Sequence, residues 1–270
     1  MELADLIAAG GVAVLSGAGL STESGIPDYR GETGRQRPAT PMTYQDFTGS
    51  AHNRQRYWAR SHLGWRFIAD AKPNAGHFGV ASLQQQRRLT GIVTQNVDGL
   101  HQAAGAEDVI DLHGTLDRVV CLGCGALSRR TELDERLTAA NPGWERGSLP
   151  LKPDGDVDLE DTSSFSVVPC LRCDGVLKPD VVFFGESVPR DRVDRALMLV
   201  ESSRALLVLG SSLTVMSGYR FVLHAKKHGV PVAIVNQGPT RGDQQADIRL
   251  DAPLGSVLAE LAAGTLDPIT

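Results

Sequence analysis

The chain of 270 residues is short of several things, and each shortage narrows what it does. It has no apolar run approaching the roughly 20 residues that a bilayer-spanning helix needs. Its start, Met1 to Gly10, lacks the basic flank and cleavage site of a signal peptide, so the expectation is a soluble, cytoplasmic protein with no membrane partner. It has no surplus of positive charge: 32 Asp and Glu stand against 27 Lys and Arg, which speaks against nucleic acid as a direct partner. It has only four cysteines, arranged as Cys121-Leu-Gly-Cys124 and Cys170-Leu-Arg-Cys173. Two C-x-x-C pairs without a secretory signal read as one tetrahedral structural zinc, with disulfides the weaker alternative. Four thiolates leave no open position on the metal, so its work is to hold a small module together. Between the pairs, Asp154, Asp156, Asp158, Glu160 and Asp161 lack the glycine and terminal glutamate of an EF-hand loop and read as a solvated insertion.

What is present is organised around Val12 to Arg30. Val12 to Leu15 suits a strand buried on both faces, and it runs into Gly17-Ala18-Gly19, where the backbone can turn sharply and approach a ligand. Ser21, Thr22 and Ser24 then offer N-cap chemistry, with free amides to face an anion such as a pyrophosphate. The turn departs from the dinucleotide fingerprint, because Thr22 stands where a third glycine belongs and no acidic ribose ligand follows at a strand end; an ordinary dehydrogenase is therefore disfavoured.

Further along, strands are expected at 91–94, 109–112, 205–209 and 230–235, with a further apolar run after Pro179 returning to the sheet. Helices are expected at 2–9, 44–71, 74–86, 190–203, 219–228 and 254–262, and a loop from Gly31 to Thr43. Strand ends carry polar residues: Gln95, Asn96 and Asp98 after the second, His113 after the third, Gly210, Ser211 and Ser212 after the next, Asn236, Gln237 and Gly238 after the last. In open α/β sheets ligands bind beyond those carboxyl ends. The pattern predicts an α/β fold: a doubly wound, Rossmann-like parallel sheet with an inserted smaller zinc-binding and helical module. The large domain takes 1–31, 88–118 and 177–270; insertions 32–87 and 119–176 make the small one.

The words GAG-x-S-x-x-SGIPDYR, TQNVDGLH, HG, the four cysteines, FFGE, GSS and VN, in that order, resemble the sirtuins, the NAD-dependent protein deacylases. Thr22-Glu23-Ser24, RQRYWAR and N-x-G-P-T-R look like the class II branch. The resemblance implies that Gly17, Ala18, Gly19, Thr22, Tyr29 and Arg30 hold the diphosphate and ribose side of NAD, and that Gln95 meets the ribose. Gly210, Ser211, Ser212, Asn236, Gln237, Gly238 and Leu254 would frame the adenosine half, and Ile26, Asp28, Asn96 and Asp98 the nicotinamide pocket. His113 would be the general base. The acyl-lysine peptide would add as a strand along Val182, Phe183, Phe184 and Gly185. The acyl group of a modified lysine would pass to ADP-ribose with release of nicotinamide. Tyr57 and Arg60, three apart on an expected helix, resemble the Tyr-x-x-Arg pair with which the desuccinylase branch grips an acyl carboxylate, so acidic or bulky acyl groups are an expectation. Two other readings stay open at this level: mono-ADP-ribosyl transfer, and a non-enzymatic zinc-ribbon adaptor.

Overall fold

The structure, a computed structural model, describes residues 2–28, 41–144, 159 and 161–265. Tyr29, Arg30, most of the expected 31–43 loop and the acidic run up to Glu160 lie outside the described residues. Nine strands are present among the described residues: β1 (Val12–Ser16), β2 (Leu89–Thr94), β3 (Ile110–Asp111), β4 (Gly114–Cys121), β5 (Leu127–Arg129), β6 (Leu177–Val181), β7 (Ala205–Leu209), β8 (Val232–Val235) and β9 (Ile248–Leu250). Six of them form one parallel sheet in the order β3-β2-β1-β7-β8-β9.

Every residue of β1 is buried, and its side chains alternate between two cores. Val12 and Val14 face one, with Val80, Leu83, Val257 and Leu258; Ala13 and Leu15 face the other, with Val193, Val200, Phe221 and Val222. Helices Leu3–Ala8, Ala75–Gln85 and Leu254–Ala263 cover the first face, and Arg190–Glu201 and Met216–Lys227 the second. Helices on both faces explain why these strands read as continuous apolar runs.

Three elements differ from the sequence expectation. The helix expected over 44–71 is two, Tyr44–Gly49 and Ala51–Asp70. Ser50 divides them because it is extended and its hydroxyl accepts from the Asn53 amide, a helix start within the run. Helix Ala75–Gln85, assigned to the insertion, packs on the large sheet instead. Its Gly79 lies so close to Leu254–Ala263 that a Cβ there would stand 2.7 Å from the Leu258 carbonyl oxygen. Finally, β6 does not return to the large sheet. It is an edge strand of a small antiparallel sheet, β5-β4-β6, where Pro179, which has no N–H to give, is tolerated. An apolar run reports burial, not which core it enters. Here Leu177 and Phe183 complete a third core with Phe47, Tyr57, Trp58, Leu133 and Phe165.

Candidate active site

β1 and β7 are neighbours at the point where the strand order reverses, and a cleft of about 900 Å³ opens beyond their carboxyl ends. Gly17, Ala18 and Gly19 reach it from β1, Gly210, Ser211 and Ser212 from β7, and Asn236, Gln237 and Gly238 from β8. The first two turns interlock. The Gly17 amide donates to the Leu209 carbonyl at 2.9 Å and the Gly19 amide to the Gly210 carbonyl at 2.8 Å. A Cβ on Gly19 would stand 2.9 Å from that same carbonyl oxygen, and one on Gly210, whose φ is +59°, 2.5 Å from the Leu20 nitrogen. The amides of both glycines are therefore spent on joining the two turns.

The hydroxyls expected to cap a helix do other work, since the chain makes two 3₁₀ turns, Ala18–Leu20 and Thr22–Ser24, with no side-chain caps. The Thr22 hydroxyl donates back to the Gly19 carbonyl at 2.9 Å, and the Ser24 hydroxyl accepts from Asn74 at 3.0 Å. Thr22 does not line the cleft, nor does Leu254, which is buried under Gly210. The Glu23 carboxylate accepts from the Gly255 amide at 3.1 Å, placing a negative charge at the positive end of the last helix.

A second polar group gathers behind Ile26 and Asp28, both on the cleft wall. The Asn96 amide donates to the Gly17 carbonyl and the Ser21 hydroxyl at 3.1 and 3.0 Å. Ser21 donates to Asp98 at 2.7 Å, and the other Asp98 oxygen accepts from the Leu100 amide at 2.9 Å. Burial pushes the Asp98 carboxyl up, against the opposing pull of those two donors. Gln95 donates to Ser211 Oγ at 2.9 Å, so the amide expected at the ribose bridges two strand ends.

His113 sits at the cleft between β3 and β4. Its Nδ1 is 2.9 Å from the Gln95 carbonyl oxygen, which only accepts; Nδ1 therefore carries the hydrogen and Nε2 is the acceptor in the neutral ring. Nε2 meets the Ser217 hydroxyl at 2.9 Å. Burial is the main reason its pKa lies below the ordinary value, with the Gln95 bond opposing. The backbone is held too, since the His113 carbonyl accepts from Val182 at 2.8 Å and a Cβ on Gly114 would collide with the Asp180 carbonyl. This arrangement can take a proton from a hydroxyl standing where Ser217 stands.

Val182, Phe183, Phe184 and Gly185 line the cleft, but not as one open strand edge. Phe184 pairs with Thr43 through a parallel bridge and accepts from the Tyr44 amide, while Phe183 and Glu186 close a turn on each other. Lys178, buried beneath, holds Glu186 at 3.0 Å. Tyr57 also lines the cleft, its ring wedged among Phe47, Trp58 and Phe183. Arg60 does not line it: its guanidinium donates to the Leu159 carbonyl at 3.3 Å. Positions three apart on a helix diverge by about 60° around the axis, and the aromatic cluster takes one while the module edge takes the other.

The four cysteine sulfurs form one cluster outside the cleft, with Cys121–Cys173 at 3.5 Å and Cys124–Cys170 at 3.9 Å. Tetrahedral ligands with metal–sulfur bonds near 2.3 Å stand about 3.8 Å apart, so the set fits zinc and not disulfides. The amides of Gly123 and Arg172 point at the sulfurs of Cys121 and Cys170, as in metal-binding knuckles. Ser21, read from the sequence as a cap, lines the cleft through its hydroxyl, and Ser217 and Arg220, which the sequence did not single out, line it from the first turns of helix Met216–Lys227; a lone serine or arginine in an amphipathic helix carries no signal of its own. A buried pair below the first glycine turn was also missed. His77 and His101 lie ring to ring at 5.3 Å, and His101 Nε2 donates at 2.8 Å to Ser16, whose hydroxyl goes on to Thr94.

A parallel sheet with a glycine-lined cleft at its crossover, a histidine whose Nε2 is turned into the cleft and a four-thiolate module alongside define a dinucleotide-binding α/β enzyme with a structural zinc. The glycine cradles, which any Cβ would fill, and the buried amides beside them fit NAD. The chain belongs to the Sir2 family, whose model matches residues 17–217. It is 60% identical over 262 residues to NAD-dependent protein deacetylase 1 of Streptomyces coelicolor, covering 96% of this chain and 88% of that one. A solved Sir2 enzyme superposes with a TM-score of 0.76 at 30% identity, over 97% and 95% of the two chains. A Sir2 structure with a p53 peptide and NAD+ does so with a TM-score of 0.71 at 27% identity, over 96% and 95%.

Proposed function

We infer that this chain is an NAD-dependent protein lysine deacylase, which transfers the acyl group of a modified lysine to ADP-ribose and releases nicotinamide. The observation that carries the reading is the fixed tautomer of His113, with Nδ1–H on the Gln95 carbonyl and Nε2 turned to a hydroxyl inside the cleft. When bound, NAD supplies an electrophilic ribose carbon that parts from nicotinamide and receives the acyl oxygen. The chain's own residues do the rest. Gly17, Ala18, Gly19 and the turns after β7 and β8 form the cradle for the dinucleotide. Asn96 and Asp98, tied through Ser21, present a fixed polar edge beside Ile26 and Asp28 for the nicotinamide. His113 Nε2 takes the proton of a ribose hydroxyl, the step a base with a pKa below neutrality performs while unprotonated.

The substrate is a protein or peptide, seated against Val182–Gly185 with its acyl-lysine directed between Tyr57 and His113. Ile68, Leu116, Val181 and Phe183 give that part of the wall an apolar lining, which favours an uncharged acyl chain. With Arg60 outside the cleft, we set aside the carboxylate-gripping role. Thr22-Glu23-Ser24, the RQRYWAR stretch and Asn236-Gln237-Gly238-Pro239-Thr240-Arg241 support a place for the chain in the class II branch. The test is a single peptide carrying different acyl groups on its lysine, incubated with NAD and followed by mass spectrometry. Loss of the acyl mass with release of nicotinamide is expected; a gain of ADP-ribose on the peptide or the enzyme, with the acyl group intact, would make the chain an ADP-ribosyltransferase.

A further inference from the structure

We propose that Glu201, His224 and His228 form a second metal site, for one divalent first-row transition ion such as zinc, on the back of the large sheet away from the four cysteines. Glu201 ends helix Arg190–Glu201; His224 lies in the last turn of helix Met216–Lys227 and His228 is its C-cap. Both helices pack on the same face through Val193, Ala196, Val200, Phe221, Val222 and Ala225, which brings their ends together.

The donor set is that of a zinc or nickel site, two imidazoles and a carboxylate. The histidines are four apart, so they share one helix face. His224 Nε2 is 3.4 Å from one Glu201 oxygen and His228 Nε2 4.0 Å from the other, and the three donor atoms lie within 4.8 Å of one another. Ligands at about 2.0–2.1 Å from a tetrahedral ion stand about 3.3 Å apart, so the donors need to draw in by up to about 1.5 Å, a shift that rotations of the exposed Glu201 and His228 side chains can supply.

Two further observations point to a cation. His228 Nδ1 is 3.1 Å from the His224 carbonyl oxygen, so Nδ1 carries the hydrogen and the Nε2 lone pair faces Glu201. Ligating histidines are characteristically oriented by such a bond from the other ring nitrogen. His224 Nε2 is buried and makes no hydrogen bond among the described residues. The helix C-terminus adds a favourable field for positive charge, and Lys226, the neighbouring cation, is drawn off by Asp247 at 2.8 Å. A bound ion would tie together two helix ends, one of them on the helix whose first turn carries Ser217.

The test is zinc content after equilibrium dialysis of the reduced, full-length protein against fixed micromolar free zinc. Wild type should hold two zinc ions per chain, and His228→Gln and Glu201→Gln one each, with affinity for the second ion at least about tenfold weaker. Adding cobalt(II) should selectively perturb the ring signals of His224 and His228 in wild type. Deacylation without added zinc should be unchanged in both variants. A single zinc in wild type, or a second zinc retained by the variants, would overturn the proposal; loss of the cysteine-bound ion would show separately, as variants with none.

Discussion

Ser217 places its hydroxyl 2.9 Å from Nε2 of His113, on the opposite side of the ring from the Gln95 carbonyl. The serine thus occupies the position at which a base of this tautomer receives a proton. Removing His113 takes away the proposed base, whereas removing Ser217 takes away only its partner. His113→Ala is expected to lower single-turnover deacylation by about 10²–10⁴-fold with NAD binding retained, and Ser217→Ala by less than about tenfold. A His113→Ala enzyme keeping more than about a tenth of wild-type turnover would remove the residue from this role.

The acid limb of kcat/KM should fall below the ordinary histidine value of 6.5, because burial disfavours the charged ring. Activity then stays flat as pH drops through neutrality. A limb above 6.5 that disappears in His113→Ala would contradict this reading of the site.

Stability should depend on pH through the buried pair. Burial lowers His77 to about 4 and His101 to about 3, the second helped by its neighbour. Between those values and 6.5 the unfolded chain binds protons that the folded one does not, so stability is full above 6.5 and is lost as pH falls toward 4. Each histidine accounts for roughly 3 kcal/mol of that loss by pH 4. Urea midpoints measured across this range should show a shallower slope in His101→Asn than in wild type.

One zinc should copurify at the cysteine cluster, and Cys121→Ala should behave like chelator-stripped protein. Because β4 runs from beside His113 to Cys121, the loss should reach activity through the small sheet. Limited proteolysis would then cut near 121–176 before it cuts the large domain. Retention of full activity in metal-free protein would show that the small sheet stands without the ion.

Arg60→Met should leave the ratio of kcat/KM for succinyl- and acetyl-lysine within about twofold. A guanidinium that gripped the carboxylate would contribute about 1.5–3 kcal/mol, at least a tenfold selective loss. Tyr57→Ala, by contrast, opens a hole among Phe47, Trp58 and Phe183 and should cost about 3–5 kcal/mol of stability, read from denaturant unfolding.

The parallel sheet and its polar strand ends were legible because burial on both faces leaves unbroken apolar runs and ligand chemistry gathers where they stop. Asn96, Asp98 and His113 could be placed at the sheet edge on that ground, whereas roles for Gly210 and Asn236 came only from the family resemblance. What could not be read was partnership. Nothing in the sequence says that β6 pairs with β4, that Ala75–Gln85 packs on Leu254–Ala263, or that the Gly17 and Gly19 amides are used by β7. Those are choices between cores of equal polarity, made by shape. Arg60 marks a related limit: helical spacing gives the face a residue shares, not the direction in which a long side chain leaves it.

The meeting of Gly19 and Gly210 limits the history open to this chain. A side chain added at Gly19 strikes the backbone of Gly210, and one added at Gly210 strikes the backbone after Gly19. Each partner is already the smallest residue there is, so neither can shrink to excuse a change in the other. A second-site suppressor has nowhere to arise at this contact. These two positions are closed to compensation, and the crossing stays as it is unless a whole strand moves.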